Sequence, residues 1–155
     1  MATRVYADTS VYGGVFDWEF ARSSKLFFGM VRAGTFELVV SAVVQAEIAP
    51  APLAVRELLD ELLPIAELVG ITNDALDLRN AYLAAEIVSP AWAEDALHVA
   101  LATLAGCSMI VSWNFKHIVH YRKIPLYNAV NTLRGYGQLE IYSPREVVED
   151  DEETL

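Results

Sequence analysis

The sequence predicts a single α/β domain in which a central, mostly parallel sheet is flanked by helices. Short apolar runs of strand length alternate with segments whose apolar residues recur at helical spacing. That alternation favours right-handed crossovers between parallel strands. A length of 155 residues suits one domain, and a hydrophobic content of 54% allows a sizeable core.

The predicted strands are short apolar runs. They cover residues 5–7, 36–40, 66–71, 109–111 and 140–142. The first run ends at Asp8 and is expected to be a buried strand. In parallel sheets, ligands bind beyond the carboxyl ends of the strands. Polar residues that directly follow these runs are therefore candidates for a functional site.

Capping and stop signals predict the helices between these strands. Asp17 is expected to cap a helix that Gly34 stops, and Ser41 is expected to cap a shorter helix that carries Glu47 and ends near Pro50. Further helices are predicted over residues 55–63, 73–88 and 90–106, and from about residue 125 to Gly135.

The net charge of −10 is concentrated at the C-terminus, because the last ten residues hold six acids and no Lys or Arg. Residues 1–145 therefore carry −4 and are predicted to form the folded domain. Residues 146–155 are expected to be an acidic, flexible tail. An acidic balance argues against a broad surface that coats nucleic acid, since phosphate binding needs Lys and Arg. It is compatible with an enzyme that holds phosphate through a metal.

Composition also predicts the compartment. The single cysteine, Cys107, excludes a disulfide within the chain. The N-terminus lacks the long apolar segment of a signal peptide, and no apolar run approaches the ~18 residues of a membrane span. We therefore expect a cytoplasmic protein without membrane association.

Three acids in separate segments are candidate metal ligands. Asp8 follows the first strand, Glu47 lies in an apolar turn of helix, and Asp95 lies near the start of a later helix. Each also has a structural interpretation: Asp8 as a helix N-cap, Glu47 at the edge of a half-buried helix, and Asp95 beside a helix dipole. A carboxylate buried without a partner is costly, so an acid in an apolar stretch tends to be paired or metal-bound.

Two residues close to Asp95 are interpreted separately. Glu94 lies about 100° from Asp95 around a helix, so only one of these acids is expected to face a site. His98 shares the face of Asp95, and we interpret it as a hydrogen-bonding partner within the domain. With three His and one Cys in the chain, a zinc site built from these residues is disfavoured.

The loop after the fourth predicted strand combines a polar residue with the densest basic cluster of the chain. Asn114 is a candidate ligand of a metal or of metal-bound water. Lys116, His117, Arg122 and Lys123 are candidate contacts to phosphate. Charge runs are usually solvated faces, but this one adjoins a candidate site.

Together, the three acids predict metal-dependent chemistry if they converge at one end of the sheet. Repulsion among close carboxylates disfavours an empty site. Hard oxygen ligands suit Mg²⁺ or Mn²⁺. Such a cation lowers the pKa of bound water and neutralises charge on a phosphodiester.

Four segments resemble the PIN-domain family in order and spacing, most closely its VapC-like toxin nucleases. They are Val5-Tyr-Ala-Asp-Thr-Ser10, Ser41-Ala-Val-Val-Gln-Ala-Glu47, Ala93-Glu-Asp-Ala-Leu-His-Val-Ala100 and Val111-Ser-Trp-Asn-Phe-Lys-His-Ile118. The resemblance continues through Tyr127-Asn-Ala-Val-Asn131 and Gly135-Tyr136, and covers nearly the whole chain except the tail.

The resemblance implies a parallel sheet flanked by helices and an endoribonuclease that depends on Mg²⁺ or Mn²⁺. It implies that Asp8, Glu47 and Asp95 are the metal ligands, and that Asn114 belongs to the catalytic set. Many relatives carry a fourth acid at the position of Asn114, so this chain has one negative charge fewer. The resemblance further implies a toxin of a toxin–antitoxin pair that forms a homodimer and is inhibited by a cognate antitoxin.

Three other interpretations make different demands on the sequence. A phosphatase of the haloacid-dehalogenase type needs a second Asp two residues after Asp8, where this chain has Ser10. A phospho-receiver domain needs an acidic pair near the end of the first strand, and that pair is missing. The alternative left open is a catalytically weak or inactive PIN-fold protein that binds RNA or a protein partner.

Overall fold

The computed structural model describes residues 2–148. Within them, five strands form one sheet. In chain order they are β1 (Thr3–Ala7), β2 (Phe36–Ser41), β3 (Glu67–Val69), β4 (Met109–Val111) and β5 (Glu140–Tyr142). Every predicted strand is therefore confirmed. The bounds of β4 and β5 are those predicted, and the ends of the other three strands differ from the predicted ones by at most two residues.

The sheet is parallel throughout and has the strand order β3-β2-β1-β4-β5. The predicted fold class, an α/β domain with a parallel sheet flanked by helices, is confirmed. The chain builds outward from β1 to β2 and β3, and then returns to the other side of β1 for β4 and β5. The order thus reverses between β1 and β4, and the crevice beyond their carboxyl ends is where such folds bind ligands.

Helices make up most of the remaining described chain. They are α1 (Thr9–Gly14), α2 (Ala21–Arg32), α3 (Ala42–Ile48), α4 (Leu53–Leu62), α5 (Asn73–Ala84), α6 (Ala93–Leu104), α7 (Ile124–Leu133) and α8 (Pro144–Val147). Two single 3₁₀ turns, Leu63–Ile65 and Pro90–Trp92, follow α4 and precede α6. No helix in residues 2–148 is long and apolar enough to cross a membrane.

The core is centred on β1 and β2. Val5, Tyr6 and Ala7 are fully buried, as are Leu38 and Val39 of the neighbouring strand. Successive residues of a strand point to opposite faces, so burial of consecutive residues means that helices cover both faces of the sheet. The central strands therefore hold their carboxyl ends, and the residues that follow, in fixed positions.

The segment after β1 differs from the prediction. Asp8 caps the short helix α1, as in its structural interpretation, although no helix was predicted at these residues. Its side chain accepts a hydrogen bond from the amide of Ser10. Asp17 accepts a hydrogen bond from the amide of Glu19 in the turn between α1 and α2. The prediction that Asp17 caps the next helix is wrong, because α2 begins at Ala21 with Phe20 at its N-cap position.

Helix α5 is shorter than predicted. It ends at Ala84 rather than continuing to residue 88. Glu86 adopts a left-handed backbone conformation with φ of 59°, and the amide of Ile87 donates to the carbonyl of Tyr82. A left-handed residue cannot continue an α-helix, so the chain leaves the helix there.

The C-terminal boundary lies at the limit of the described residues. Helix α8 spans Pro144–Val147 and thus crosses the predicted boundary between residues 145 and 146. Its first turn is closed by a capping box in which Ser143 and Glu146 bond reciprocally. The rest of the predicted acidic tail, residues 149–155, lies outside the described residues.

Trp113 lies two residues after the end of β4 and packs against α1 and α2. Its ring stacks on Phe20 with 4.3 Å between centroids, and its Nε1 donates to the Ser24 hydroxyl at 2.8 Å. Gly14 packs against both groups: a Cβ added there would lie 2.6 Å from Ser24 Oγ and 2.8 Å from Trp113 Nε1. A glycine at this position allows α1 to approach the indole closely.

Gly14→Ala should therefore destabilise the fold by about 1–3 kcal/mol, because the added methyl overpacks the contact with Trp113. Gly13→Ala is the matched control, since no atom lies within 4 Å of a Cβ added at that position. Alanine is favoured over glycine in a helix, so the control should be neutral or slightly stabilising. Denaturant unfolding measures both changes, and equal stability of the two variants would contradict the packing argument.

Candidate functional site

The point where the strand order reverses is occupied by Asp8 and Ser112. Asp8 follows β1 and is only 4% exposed, and Ser112 follows β4 and is fully buried. The Ser112 hydroxyl donates to Asp8 Oδ2 at 2.7 Å, while the hydroxyl and the amide of Ser10 donate to Asp8 Oδ1. Both carboxylate oxygens are therefore hydrogen-bonded.

The two serines also join the loops that follow β1 and β4. Ser10 Oγ accepts from the amide of Trp113 at 2.9 Å, and Ser112 Oγ accepts from the amide of Asn114 at 2.9 Å. Asp8 thus caps a helix and also lies at the end of the central strand, so its structural and functional interpretations do not exclude each other.

Burial raises the pKa of Asp8. The positive charge of His98 and the hydrogen bonds from Ser10 and Ser112 oppose this effect, because they stabilise the ionised carboxylate. The nearby charge of Glu47 raises the pKa further. The charges of Glu47 and His98 therefore act on the pKa of Asp8 in opposite directions.

Glu47 is held in place by two side chains. Its Oε1 accepts from the Thr9 hydroxyl at 2.8 Å and from His98 Nε2 at 2.6 Å. The position of Glu47 follows from the start of α3, where Ser41 ends β2 and its hydroxyl accepts from the amide of Val44. The predicted Ser41 cap and the helix that carries Glu47 are confirmed.

His98 connects Glu47 to the centre of the sheet. Its Nδ1 lies 2.7 Å from the Tyr6 hydroxyl, which lies 2.7 Å from Ser41 Oγ. His98 is 2% exposed, and Tyr6 is fully buried. The interpretation of His98 as a hydrogen-bonding partner within the domain is confirmed, and the chain of bonds runs from β2 through β1 and α6 to the Glu47 carboxylate.

The Glu47 and His98 side chains form a charged pair. Burial opposes the charged form of each group, but their mutual hydrogen bond and opposite charges outweigh it. The pKa of Glu47 is consequently lowered, and the pKa of His98 is raised. His98 therefore supplies positive charge inside an otherwise acidic site.

Glu47 opens into a cleft of about 570 Å³ beyond the sheet. Its lining residues are Glu47, Ala91, Trp92, Glu94, Asp95, Asn114, Lys116 and His117. Five predicted site residues from three segments thus share one cleft. Asp8 does not line it. It is connected to the cleft by Ser112, whose hydroxyl donates to Asp8 and accepts a hydrogen bond from the amide of Asn114.

Both acids at the start of α6 line the cleft, so the prediction that only one would face a site is wrong. The cleft lies at the N-terminal turn of α6, where Glu94 and Asp95 border the same opening despite their angular separation. Within residues 2–148, no hydrogen-bond donor contacts the Asp95 carboxylate.

The carboxylates do not form a ready-made metal cage. In the described part of the chain, no group of three or more His, Cys, Asp or Glu side chains is placed to hold a metal ion. The chemistry of the cleft nevertheless fits Mg²⁺ or Mn²⁺, because Asp95, Glu94 and Asn114 present oxygen donors beside Glu47. Mg²⁺ commonly binds through one or two carboxylates, retained waters and substrate phosphates rather than through an all-protein cage.

Asn114 uses its side chain within its own loop. Its Oδ1 accepts from the amide of His117 at 2.9 Å. This bond orients the amide group at the border of the cleft and leaves the second lone pair of Oδ1 for another partner. The carbonyl oxygen therefore has both a structural contact and a position in the cleft.

The basic residues of the loop are not gathered in one place. Lys116 lines the cleft, with its Nζ 5.6 Å from the centroid of the Trp92 ring. Lys123 Nζ donates to the carbonyl of Ile87 at 2.6 Å, and Arg122 lies over the ring of Tyr121 and donates to its hydroxyl. Neither Arg122 nor Lys123 lines the cleft, so Lys116 is the predicted cation best placed to meet a phosphate there.

His117 is buried beneath Trp92. The two rings stack with 4.6 Å between centroids and an interplanar angle of 24°. Neither ring nitrogen of His117 has a hydrogen-bond partner within residues 2–148. Burial lowers the pKa of His117, and the charges of Lys116 and Lys123 lower it further against the opposing charge of Asp95. The imidazole is therefore neutral near pH 7.

The sequence reasoning overlooked Thr9, Tyr6 and Trp92 as parts of the site. Tyr6 has the appearance of a core residue in an apolar strand, and nothing in its neighbours indicates where its hydroxyl bonds. Thr9 and Trp92 each lie within three residues of a predicted acid, Asp8 and Asp95. Proximity to those acids was the one available signal.

In comparisons with known proteins, no protein-family model and no curated protein matches the chain. The fold and the site define a class of protein: a parallel α/β domain with an acidic cleft beyond the point where its strand order reverses. A more specific assignment depends on the chemistry of that cleft.

The His98–Glu47 pair makes the stability of the fold depend on pH. The folded pKa of His98 lies above 6.5, so its contribution is complete below pH 6.5 and is lost as pH rises through the raised value. The folded pKa of Glu47 lies below 4.5, so its contribution is complete above pH 4.5 and is lost as pH falls. The stability lost in His98→Gln should be greatest between pH 4.5 and pH 6.5, where both contributions are complete. The loss should decrease as pH rises through the raised pKa of His98.

Chemical denaturation of wild type and His98→Gln across the pH range measures this difference. His120→Gln is the control, because it removes a histidine that forms no ion pair in the described part of the chain, and its effect should be smaller throughout. A loss in His98→Gln that does not vary with pH would show that the pair is not charged.

Proposed function

We propose that the chain is a cytoplasmic endoribonuclease that depends on Mg²⁺ or Mn²⁺. The observation that carries the proposal is the convergence of Glu47, Asp95 and Asn114 on one cleft, next to the buried Asp8, at the reversal point of a parallel sheet. Lys116 adds a cation to the same cleft. Carboxylates for a divalent cation and a lysine for phosphate suit a phosphodiester substrate.

The oxygen donors of the cleft would hold the cation. Asp95, whose carboxylate has no hydrogen-bond donor among residues 2–148, and Glu47 are its principal ligands in this proposal. Asn114 contributes its amide oxygen directly or through water. When bound, the cation would neutralise charge on the phosphodiester and lower the pKa of water. Hydrolysis then leaves a 5′-phosphate and a 3′-hydroxyl.

The residues of the chain have distinct roles around that centre. Thr9 and His98 hold the Glu47 carboxylate in one orientation, and the charge of His98 offsets part of the repulsion among the acids. Asp8, bonded by Ser10 and Ser112, fixes the start of α1, which carries Thr9, and the loop that carries Asn114. Lys116 contacts a phosphate of the RNA backbone.

The biological role that we propose is the toxin of a toxin–antitoxin pair, acting as a homodimer and inhibited by a cognate antitoxin. This part rests on the resemblance of the four motifs to VapC-like nucleases. Expression of the chain should arrest growth, and the product of a neighbouring small reading frame should relieve the arrest. Growth arrest that persists in an Asp95→Asn variant would contradict a toxic nuclease.

One observation favours a second candidate, a PIN-fold protein that binds RNA or a partner without efficient cleavage. The acids are not preassembled into a metal cage, and Asn114 stands where a fourth acid would add charge. Under this alternative, RNA binds in the cleft and is released intact.

Asp95→Asn tests the ribonuclease directly. The exchange is isosteric, and the carboxylate accepts no hydrogen bond from residues 2–148, so the fold should survive. We expect RNA cleavage with Mg²⁺ or Mn²⁺ to fall by at least about 100-fold, which corresponds to about 3 kcal/mol of lost transition-state stabilisation. Asp8→Asn should also abolish cleavage, although it additionally disturbs the capping of α1.

Asp77→Asn is the matched control, because Asp77 is an exposed acid on α5 outside the cleft. It should retain wild-type activity with the same RNA and metal. Undiminished cleavage by folded Asp95→Asn, or equal losses in both variants, would remove Asp95 from the catalytic set. Absence of cleavage in the wild type with either metal would favour the binding protein instead.

Lys116→Ala tests the phosphate contact. Loss of one contact to single-stranded RNA should reduce the slope of log K against log salt by about 0.7 and weaken binding uniformly across sequences. Lys25→Ala removes the same charge from an exposed position on α2 and should leave the slope unchanged. Binding assays over a salt series measure both slopes, and identical behaviour of the two variants would show that Lys116 is only a solvated cation.

A further inference from the structure

We propose that Trp92 is a stacking platform for one base of a single-stranded RNA bound in the acidic cleft. The inference deepens the proposed function, because it takes RNA to be the ligand of that cleft. It assigns the aromatic wall of the cleft to base recognition and leaves the opposite, acidic wall to the phosphodiester. Four features of the described residues support it.

The first feature is the position of Trp92. The residue ends the 3₁₀ turn Pro90–Trp92, and its amide donates to the carbonyl of Ser89 at 2.9 Å. The side chain lines the cleft and is 46% exposed. Helix α6 begins at the next residue, so Trp92 lies only two and three residues before Glu94 and Asp95. A base on Trp92 would therefore belong to a nucleotide close to those acids.

The second feature is the support behind the indole. His117 stacks on Trp92, and its backbone is held on both sides of the Cα atom. Its amide donates to Asn114 Oδ1, and its carbonyl accepts from the Tyr127 hydroxyl at 2.8 Å. The imidazole nitrogens take no part, since neither has a partner within residues 2–148. The ring is thus fixed by stacking and by its backbone, which keeps the indole in one orientation.

The third feature is the distribution of charge around the indole. The positive charge belongs to Lys116, whose Nζ lies 5.6 Å from the centroid of the Trp92 ring. An aromatic ring for a base with a flexible cation beside it for the backbone is the arrangement by which proteins bind single strands.

The fourth feature is the contrast with Trp18. Trp18 is 93% exposed, lies outside the cleft, and has no ring contact in the described part of the chain. Unlike Trp18, Trp92 combines partial exposure with a rigid support, a neighbouring cation and an acidic wall. In a duplex the faces of internal bases are already stacked, so the platform favours unpaired RNA.

The test uses the full chain and a single-stranded oligoribonucleotide of about six nucleotides, with EDTA present so that binding is measured without cleavage. Binding is followed by the anisotropy of labelled RNA. Trp92→Ala should weaken binding by about 5- to 150-fold, the range for loss of one stacked base. Trp92→Phe, which keeps an aromatic face, should restore most of the affinity.

Trp18→Ala is the matched control and should bind as the wild type does. In the Trp18→Phe background, RNA should quench tryptophan fluorescence, and the added Trp92→Phe exchange should remove that quenching. His117→Phe should retain binding and His117→Ala should weaken it, because the support needs a ring and not its nitrogens. A duplex of the same sequence should bind more weakly and cause less quenching.

Wild-type affinity in folded Trp92→Ala, equal weakening by Trp18→Ala, or equal quenching by duplex and single strand would overturn the inference. The outcomes separate it from the proposed activity. Cleavage of RNA without any effect of Trp92 would leave the ribonuclease standing and remove the base platform. Binding that depends on Trp92 in a protein that never cleaves RNA would do the reverse.

Discussion

The position of the Asp8 carboxylate between the ends of β1 and β4 constrains the rest of the site. The strand order reverses at this point, so the loops that leave the two strands diverge and a crevice opens between them. A bare carboxylate buried there would be costly. Hydrogen bonds from the hydroxyls of Ser10 and Ser112 stabilise it. The same two hydroxyls accept hydrogen bonds from the backbone amides of Trp113 and Asn114. The bonds that stabilise Asp8 therefore also fix the loop that carries Asn114, Lys116 and His117 into the cleft.

A second series of buried hydrogen bonds holds the Glu47 carboxylate in place. Ser41, Tyr6 and His98 bond in sequence across β2, β1 and α6, and His98 delivers a charged hydrogen bond to Glu47. Removing one member would leave its neighbours buried without partners, which costs more than the bond itself contributes. Glu47 is thus ionised and oriented before any ligand arrives. Asp95 differs, because no donor in residues 2–148 contacts its carboxylate. The cleft combines one fixed acid with one available acid, an arrangement suited to receiving a cation together with a substrate.

Much of this fold was predictable because it follows from local pattern. Buried parallel strands need apolar runs, and the Ser41 cap and the Gly34 stop have local physical causes, so these features were predicted correctly. The errors arise where tertiary contacts or single backbone conformations decide. Glu86 ends α5 by a left-handed conformation that has no compositional signal. Lys123 is drawn to the carbonyl of Ile87, a residue distant in sequence, and the Tyr6 hydroxyl finds His98 only once β1 and α6 are packed. The pairing of Glu94 with Asp95 in one cleft depends on where α6 begins relative to the neighbouring loop.

The central claim is that this cleft holds a divalent cation through Asp95. Titration of Mn²⁺ into the full chain, followed by electron paramagnetic resonance and calorimetry, measures it without any assay of activity. Because Asn114 stands where a fourth acid would add charge, the cleft should bind one Mn²⁺ in the free protein. Single-stranded RNA should strengthen Mn²⁺ binding by supplying phosphate oxygens. Asp95→Asn should lose most of this affinity, whereas Asp77→Asn should retain it. Mn²⁺ binding that is absent in the wild type with and without RNA, or that is equal in wild type and Asp95→Asn, would contradict the claim.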